Sequence, residues 1–480
     1  MQSIRQYRRI DRAVQGRLKR AAELSKTAQA DSNVSVELSA LPGNNQDTTI
    51  IPVQWDDDDS YLNPRQYSVP RKAAMTFLVA IIAVAVTASS AIDAAGAQEY
   101  KEYFGVSSIV ASLPTALFLI GFALGSLISG PFSETFGRSI VYIMTLILFL
   151  IFIMASALAP DVPSHIVFRF LAGLFAATPL TCAGGTVSDL WNPLEKTYGF
   201  PIYAITAFTG PMVGQQETYT DLLLQWKAEI LRKRTGDPRY KGPMELRSLT
   251  LGQRLAIAVS RPFAWGVTEP IIIFMSLYLT VVYAILFLFL DGYPFIFTDI
   301  YHFSEGLTNI VWVAMVIGTL STALQVPIIW SWTKREFQNT GHIRPETRLW
   351  SAMLGGAISI PVSLFWLAWT SSAKISVWSP ICATVLFGFG ITTVFISAHM
   401  YVIDAYEKYS ASALAMLVLS RYLVAGGMTI AGDSIYSSFG VRYTLTTLGS
   451  ISVVMALIPY VFYKYGHVIR KGSAYAIVHK

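Results

Sequence analysis

The sequence predicts an all-α integral membrane protein, with ten long membrane helices and a shorter eleventh element divided between two bundles. Three observations lead there. Hydrophobic types make up 53% of the 480 residues and charged types 14%, against roughly 25% charged in a soluble domain. The mean hydropathy is +0.47. The apolar residues fall in runs of membrane length, and the basic residues gather between them. So few charges cannot cover a soluble globule, which excludes a soluble enzyme, a nucleic-acid binder and a secreted module. Two cysteines exclude a disulfide scaffold.

Residues 1–70 are polar. They open on a basic run from Arg5 to Arg20 and later carry Asp56 to Asp59. No apolar stretch begins before Ala73, too late for a removable signal peptide, so the segment reads as a disordered cytosolic tail. A membrane helix needs about 20 mostly apolar residues to cross a hydrocarbon core of about 30 Å. Runs 73–97, 106–131, 139–160 and 162–188 qualify. Run 198–214 is short and is broken by Pro201, Gly210, Pro211 and Gly214. After a long polar segment come runs 270–290, 308–332, 349–372, 375–399, 410–432 and 443–463. The predicted organisation is a tail (1–70), an incomplete first bundle (71–214), a basic linker (215–268), a second bundle (269–465) and a short cytosolic tail (466–480).

Lys and Arg placement sets the orientation. The basic N-terminus, Arg138, the segment 333–348 with its four Lys/Arg, and the C-terminal Lys464, Arg470 and Lys471 all predict a cytosolic side. Segment 292–307 has no Lys or Arg and is predicted to face outward. The linker carries nine Lys/Arg between 215 and 265 and belongs inside, yet the loop 189–197 is inside as well. One crossing by 198–214 cannot join two inside loops, so either that run fails to cross or a second crossing is missing.

Motifs narrow the reading. After the second run stands Gly130-Pro-Phe-Ser-Glu134-Thr-Phe-Gly137-Arg138. Its glycines permit a tight turn, and Glu134 and Arg138 can pair with helix ends or with each other's neighbours. The stretch resembles the loop signature of the major facilitator superfamily, with Ser139 where a second basic residue often stands. Arg169 in Phe168-Arg169-Phe170-Leu-Ala-Gly173 looks like the fourth-helix arginine of drug:proton antiporters. Gly210-Pro211-Met-Val-Gly214 looks like the start of their fifth-helix motif. Glu217-Thr-Tyr219, Leu224-Gln-Trp226-Lys227 and Arg234-Thr-Gly-Asp237 are similar to the linker of fungal multidrug and polyamine exporters. In that family the Gly-Pro motif continues through the rest of helix five, an outer loop and helix six. Here Glu217 follows Gly214 almost at once, so about 40 residues are missing, including one membrane helix of about 20. The resemblance therefore implies a two-bundle transporter with about 10–11 membrane helices instead of 12.

Ionisable groups inside apolar runs are functional candidates by default. The resemblance implies that Arg169 biases a nearby carboxylate and couples proton movement to substrate release; the alternative is pinning two helices through carbonyls. Asp93 is a candidate proton carrier, or else a solvated residue at the outer face. Asp189, Glu269 and Arg421 are candidate helix latches. His399 reads as a hydrogen-bonded helix-end residue, and Cys182 and Cys382 as packing residues. No Walker loop, metal cluster or nucleophile elbow occurs in the sequence. The predicted partners are the lipid bilayer, a small organic substrate and protons, with no cofactor, no nucleic acid and a monomeric state. The predicted location is the plasma membrane.

Overall fold

A computed structural model describes residues 7–16, 18–20, 51–52, 62–95, 97–207, 220–235, 237–241, 251–473 and 475–476. Its long helices are α1 (Val69–Ala95), α2 (Ser108–Phe136), α3 (Arg138–Ala157), α4 (Val162–Leu190), α5 (Lys196–Ala207), α6 (Thr220–Thr235), α7 (Leu251–Thr268), α8 (Pro270–Asp291), α9 (Trp312–Thr340), α10 (Pro345–Thr370) and α11 (Trp378–Tyr406). The stretch Ser410–Lys471 breaks at Gly440, whose φ of 72° is open to glycine alone without strain, and gives α12 (410–439) and α13 (441–471).

Nine helical stretches among the described residues are long and apolar enough to cross a membrane, and the break at Gly440 makes the last of them two. These ten are the ten long runs of the sequence. α3 shows how such a run is used: its 20 residues rise about 30 Å. Ile140, Met144, Ile147, Ile151 and Met154 stay exposed along one stripe, which suits lipid. Helix ends follow local chemistry. Ser107 and Asp161 cap α2 and α4 with side-chain oxygens, and Gly137 (φ 90°) separates α2 from α3.

α1 to α5 form one bundle and α8 to α13 the other, joined lengthwise by α2 against α12. Small residues bring backbones together. A Cβ on Gly121 would fall 2.2 Å from Phe170 O, and one on Gly125 1.9 Å from Leu174 O, both on α4. The Gly121-xxx-Gly125 spacing is thus the α2–α4 contact. Ser126 Oγ donates to Ala415 O at 3.2 Å across α2 and α12.

The described part of the fifth element, Lys196–Ala207, rises about 18 Å. Gly210, Pro211 and Gly214 lie outside the described residues.

The tail departs from expectation. Residues 7–16 are helical, and Ile10 and Val14 pack with Leu62 against Ala228, Ile230 and Leu231 of α6. Asp11 accepts two hydrogen bonds from Arg234 Nη2, both at 2.8 Å. Ile51–Pro52 (β1) pairs in parallel with Tyr240–Lys241 (β2), a two-stranded ladder beside the same small core. The apolar face of the basic tail thus has a protein partner, the segment between the bundles.

Candidate functional site

Arg169 and Asp93, chosen separately from the sequence, are in contact. α4 starts after Asp161, whose carboxylate accepts from Ser164 N, and Arg169 lies two turns in, 5% exposed. Its Nη2 donates to Asp93 Oδ1 near the end of α1, and its Nη1 donates to Ser89 O at 3.0 Å. His165, four residues earlier on the same helix face, places Nε2 3.8 Å from Asp93 Oδ1. The other ring nitrogen of His165 is 3.0 Å from Ser156 O. Asp93 Oδ2 and Arg169 Nε are buried with no hydrogen-bond partner among the described residues. Asp93 is therefore neither mid-helix and isolated nor solvated: it is one half of an interhelical ion pair with unused capacity. Protonating such a carboxylate releases the guanidinium, because the charge-assisted bond is lost.

The Gly130–Arg138 motif lies at the end of the bundle nearest the interbundle segment. Arg138 Nη1 donates to Ser133 Oγ at 2.6 Å and Nε to Asp189 Oδ2 at 3.3 Å. A Cβ on Gly185 would lie 2.3 Å from the same guanidinium, so any larger residue would displace it from this position. Glu134 Oε2 is 3.9 Å from Arg261 of α7, linking the motif to the interbundle segment. Gly130 lets α2 approach Ala411 O of α12. Ser139 is buried beside Arg138.

The same end holds a second network that crosses between bundles. Asp404 of α11 accepts from Arg348 Nε at 2.6 Å and from Lys196 Nζ of α5 at 3.2 Å. Arg348 also donates to Thr197 Oγ1 at 2.7 Å and to Pro193 O at 2.5 Å. Nearby, Lys72 pairs with Glu195 at 2.7 Å, and Glu346 with Arg470 at 2.8 Å. Glu269 accepts from Tyr406 Oη at 2.9 Å and from Ser473 Oγ. Beside this network lies a small, partly open cleft between α5 and the second bundle, lined by Thr197, Pro201, Gln325, Arg348 and Thr393.

Of the latch candidates, Asp189 pairs with Arg138, and Glu269 joins the start of α8 to Tyr406 of α11. Arg421 is different. It is fully buried on α12, and its contact is His399 Nε2 at 2.7 Å rather than a carboxylate. His399 itself stands inside α11, not at a helix end. Cys182 is buried and donates to Ser129 O at 3.4 Å, whereas Cys382 is exposed.

Sequence reading missed Arg348, Lys196 and the role of Asp404. The first two stand at the edges of apolar stretches; Arg348 reads as one of the loop charges of 333–348, and Lys196 falls in the loop 189–197. The signal available was position: a charge within one turn of an apolar run is placed to turn inward across the bundle.

Comparison with known proteins agrees with this architecture. The family model of the Major Facilitator Superfamily matches residues 77–215. The chain is 43% identical to the MFS-type transporter kojT of Aspergillus flavus, over 88% of this chain and 82% of that one. It is 31% identical to the MFS-type efflux pump MFS2 of Trichophyton rubrum, over 91% of this chain and 79% of that one. The solved structure of the MFS proton:xylose symporter XylE bound to 6-bromo-6-deoxy-D-glucose superposes with a TM-score of 0.58. That similarity covers 83% of this chain and 97% of XylE at 13% identity, a likeness of fold. The 464 positions aligned with kojT take in 88% of this chain's 480 residues, leaving roughly 40 positions of the relative with nothing opposite them. That deficit is of the size the sequence resemblance predicts to be absent after Gly214. Two bundles joined along α2 and α12, with relatives of this identity over most of both chains, place this transporter chain in the major facilitator superfamily.

Proposed function

We propose that this chain exports small organic molecules across the plasma membrane in exchange for protons. The observation that carries it is the Arg169–Asp93 pair, a buried guanidinium and carboxylate joining α4 to α1. A proton arriving on Asp93 frees Arg169, and the two helices lose their tie. The reverse step re-forms it. Export rather than uptake is favoured by the relative named an efflux pump. The Arg348–Asp404–Lys196 network is the cytosolic gate in this reading, because it ties the two bundles together at the end where Lys and Arg concentrate. Alternating access then requires that network to open when the outer side closes. The test is dye extrusion from intact yeast cells loaded with fluorescein or rhodamine 6G. Extrusion of either dye above empty-vector cells, stopped by a protonophore, supports the reading. Extrusion that persists without a pH gradient sinks the coupling.

A second reading has its own observation. Glu217 follows Gly214 almost at once, and roughly 40 positions of the Aspergillus flavus relative have nothing opposite them in this chain, which favours a nonfunctional or regulatory remnant. A chimera that receives the missing segment from the Aspergillus flavus relative separates the two. Export by the chimera alone supports the remnant, and equal export by both chains excludes it.

A further inference from the structure

Among the described residues, no carboxylate pairs with Arg421. Its Nη1 faces His399 Nε2, while Nε and Nη2 have no hydrogen-bond partner among the described residues. His399 is held in turn by Nδ1, 2.8 Å from Phe395 O. A carbonyl oxygen only accepts, so Nδ1 bears the proton and Nε2 accepts from the guanidinium. The imidazole is therefore neutral and supplies no counter-charge. A guanidinium with two unsatisfied nitrogens is among the most costly groups to place inside a membrane.

Aromatic rings surround it. Arg421 Cζ lies 4.7 Å from the ring centroid of Tyr283 and 5.3 Å from those of Phe395 and Tyr422. These π faces ease the cost of the cation but offer no acceptor to the N–H groups in the guanidinium plane. Phe122 of α2 packs on Tyr422 with centroids 4.4 Å apart, and Phe200 of α5 faces His399 at 6.2 Å. Elements of both bundles thus close over the arginine. Tyr283 and Phe122 sit near the middle of their helices, which places the cluster at mid-depth in the bundle.

We propose that Arg421 is the cargo-recognition group and that the cargo is a flat, anionic small organic molecule. The proposal deepens the export reading above and rests on it for the direction of transport. Nε and Nη2 form the side of the guanidinium that matches two oxygens of one carboxylate, or an enolate beside a carbonyl. The rings of Tyr283, Phe395 and Tyr422 supply faces for a planar body. All three are under a tenth exposed, so cargo enters only when the bundles part and these rings swing aside. A cationic body meets an uncompensated positive charge and is disfavoured.

The test uses two matched probes: fluorescein, a flat dianion, and rhodamine 6G, a flat cation. The full-length chain, purified in detergent, is titrated with each, and binding is read by fluorescence anisotropy. Fluorescein is expected to bind, and Arg421→Gln to weaken it by about tenfold or more, with rhodamine 6G binding not weakened. Arg421→Lys keeps the charge but loses the two-pronged edge, so it should fall between wild type and Arg421→Gln. Tyr283→Leu should weaken fluorescein severalfold. No fluorescein binding by the wild type, or equal affinity in wild type and variants, overturns the proposal. If Arg421→Gln aggregates, Arg421→Lys and Tyr283→Leu decide the question in the same way. Binding in detergent needs no gradient, so fluorescein binding without export from cells would count against the export reading alone.

Discussion

Arg348 and Asp404 meet at 2.6 Å across α10 and α11, and Lys196 of α5 reaches the other oxygen of the same carboxylate. One buried anion thus serves two cations, one from each bundle. Removing the anion leaves both cations buried without a counter-charge, which is more damaging than removing the whole set. Asp404→Asn is expected to destabilise the purified protein by about 3–5 kcal/mol, read as a lower midpoint in thermal unfolding. The double variant Asp404→Asn with Arg348→Gln should recover part of the loss. Midpoints that simply add would show that the two side chains do not act together.

Arg169→Ala should abolish protonophore-sensitive export while leaving the protein folded and at the membrane. Asp93→Asn should do the same, since it mimics the permanently protonated partner. Arg169→Lys keeps the charge but cannot hold both Asp93 and Ser89 O in one plane, so intermediate export is expected. Wild-type dye extrusion by the alanine variant at matched surface expression would refute the coupling role.

Gly125→Leu should prevent folding. Even the first carbon of its side chain would fall 1.9 Å from Leu174 O, and backbone cannot yield to it. The expected readout is loss of the monodisperse peak in gel filtration of the detergent-solubilised protein. Gly427→Ala on α12, where a Cβ meets nothing within 4 Å, is the control that should behave as wild type.

Topology is checked by labelling from outside intact cells. A cysteine placed at Lys233 of α6 is expected to stay unlabelled by a membrane-impermeant maleimide until the cells are opened. Strong labelling of intact cells would place the interbundle segment outside and overturn the charge-based orientation.

The ten long helices were legible because each is a long apolar run, and nothing but a membrane helix uses such a run. The Arg169–Asp93 partnership was not. Each residue was conspicuous alone, but they lie 76 positions apart and no local pattern joins them. Arg348 and Lys196 were hidden by their places at helix ends, where a charge is as often solvated as buried. Arg421 was visible as an intramembrane cation, but that its contact among the described residues is His399 rather than a carboxylate appears only when α8 and α11 are packed around it. The tail helix left a trace that was passed over: Tyr7, Ile10 and Val14 recur at helical spacing within the basic run.

The docking of the N-terminal helix on α6 has a consequence for biogenesis. Asp11 and Arg234 are separated by 223 residues, so the tail leaves the ribosome well before its partner and waits for it until the whole first bundle has been made. Long-range contacts of this kind form late, because a large loop must close before they contribute. The clasp between tail and α6 therefore closes only on a first bundle already inserted, and its protection from protease is a timer of that event. Pulse-labelled chains probed with a cytosolic protease should show the tail becoming resistant after residue 234 emerges, and not before.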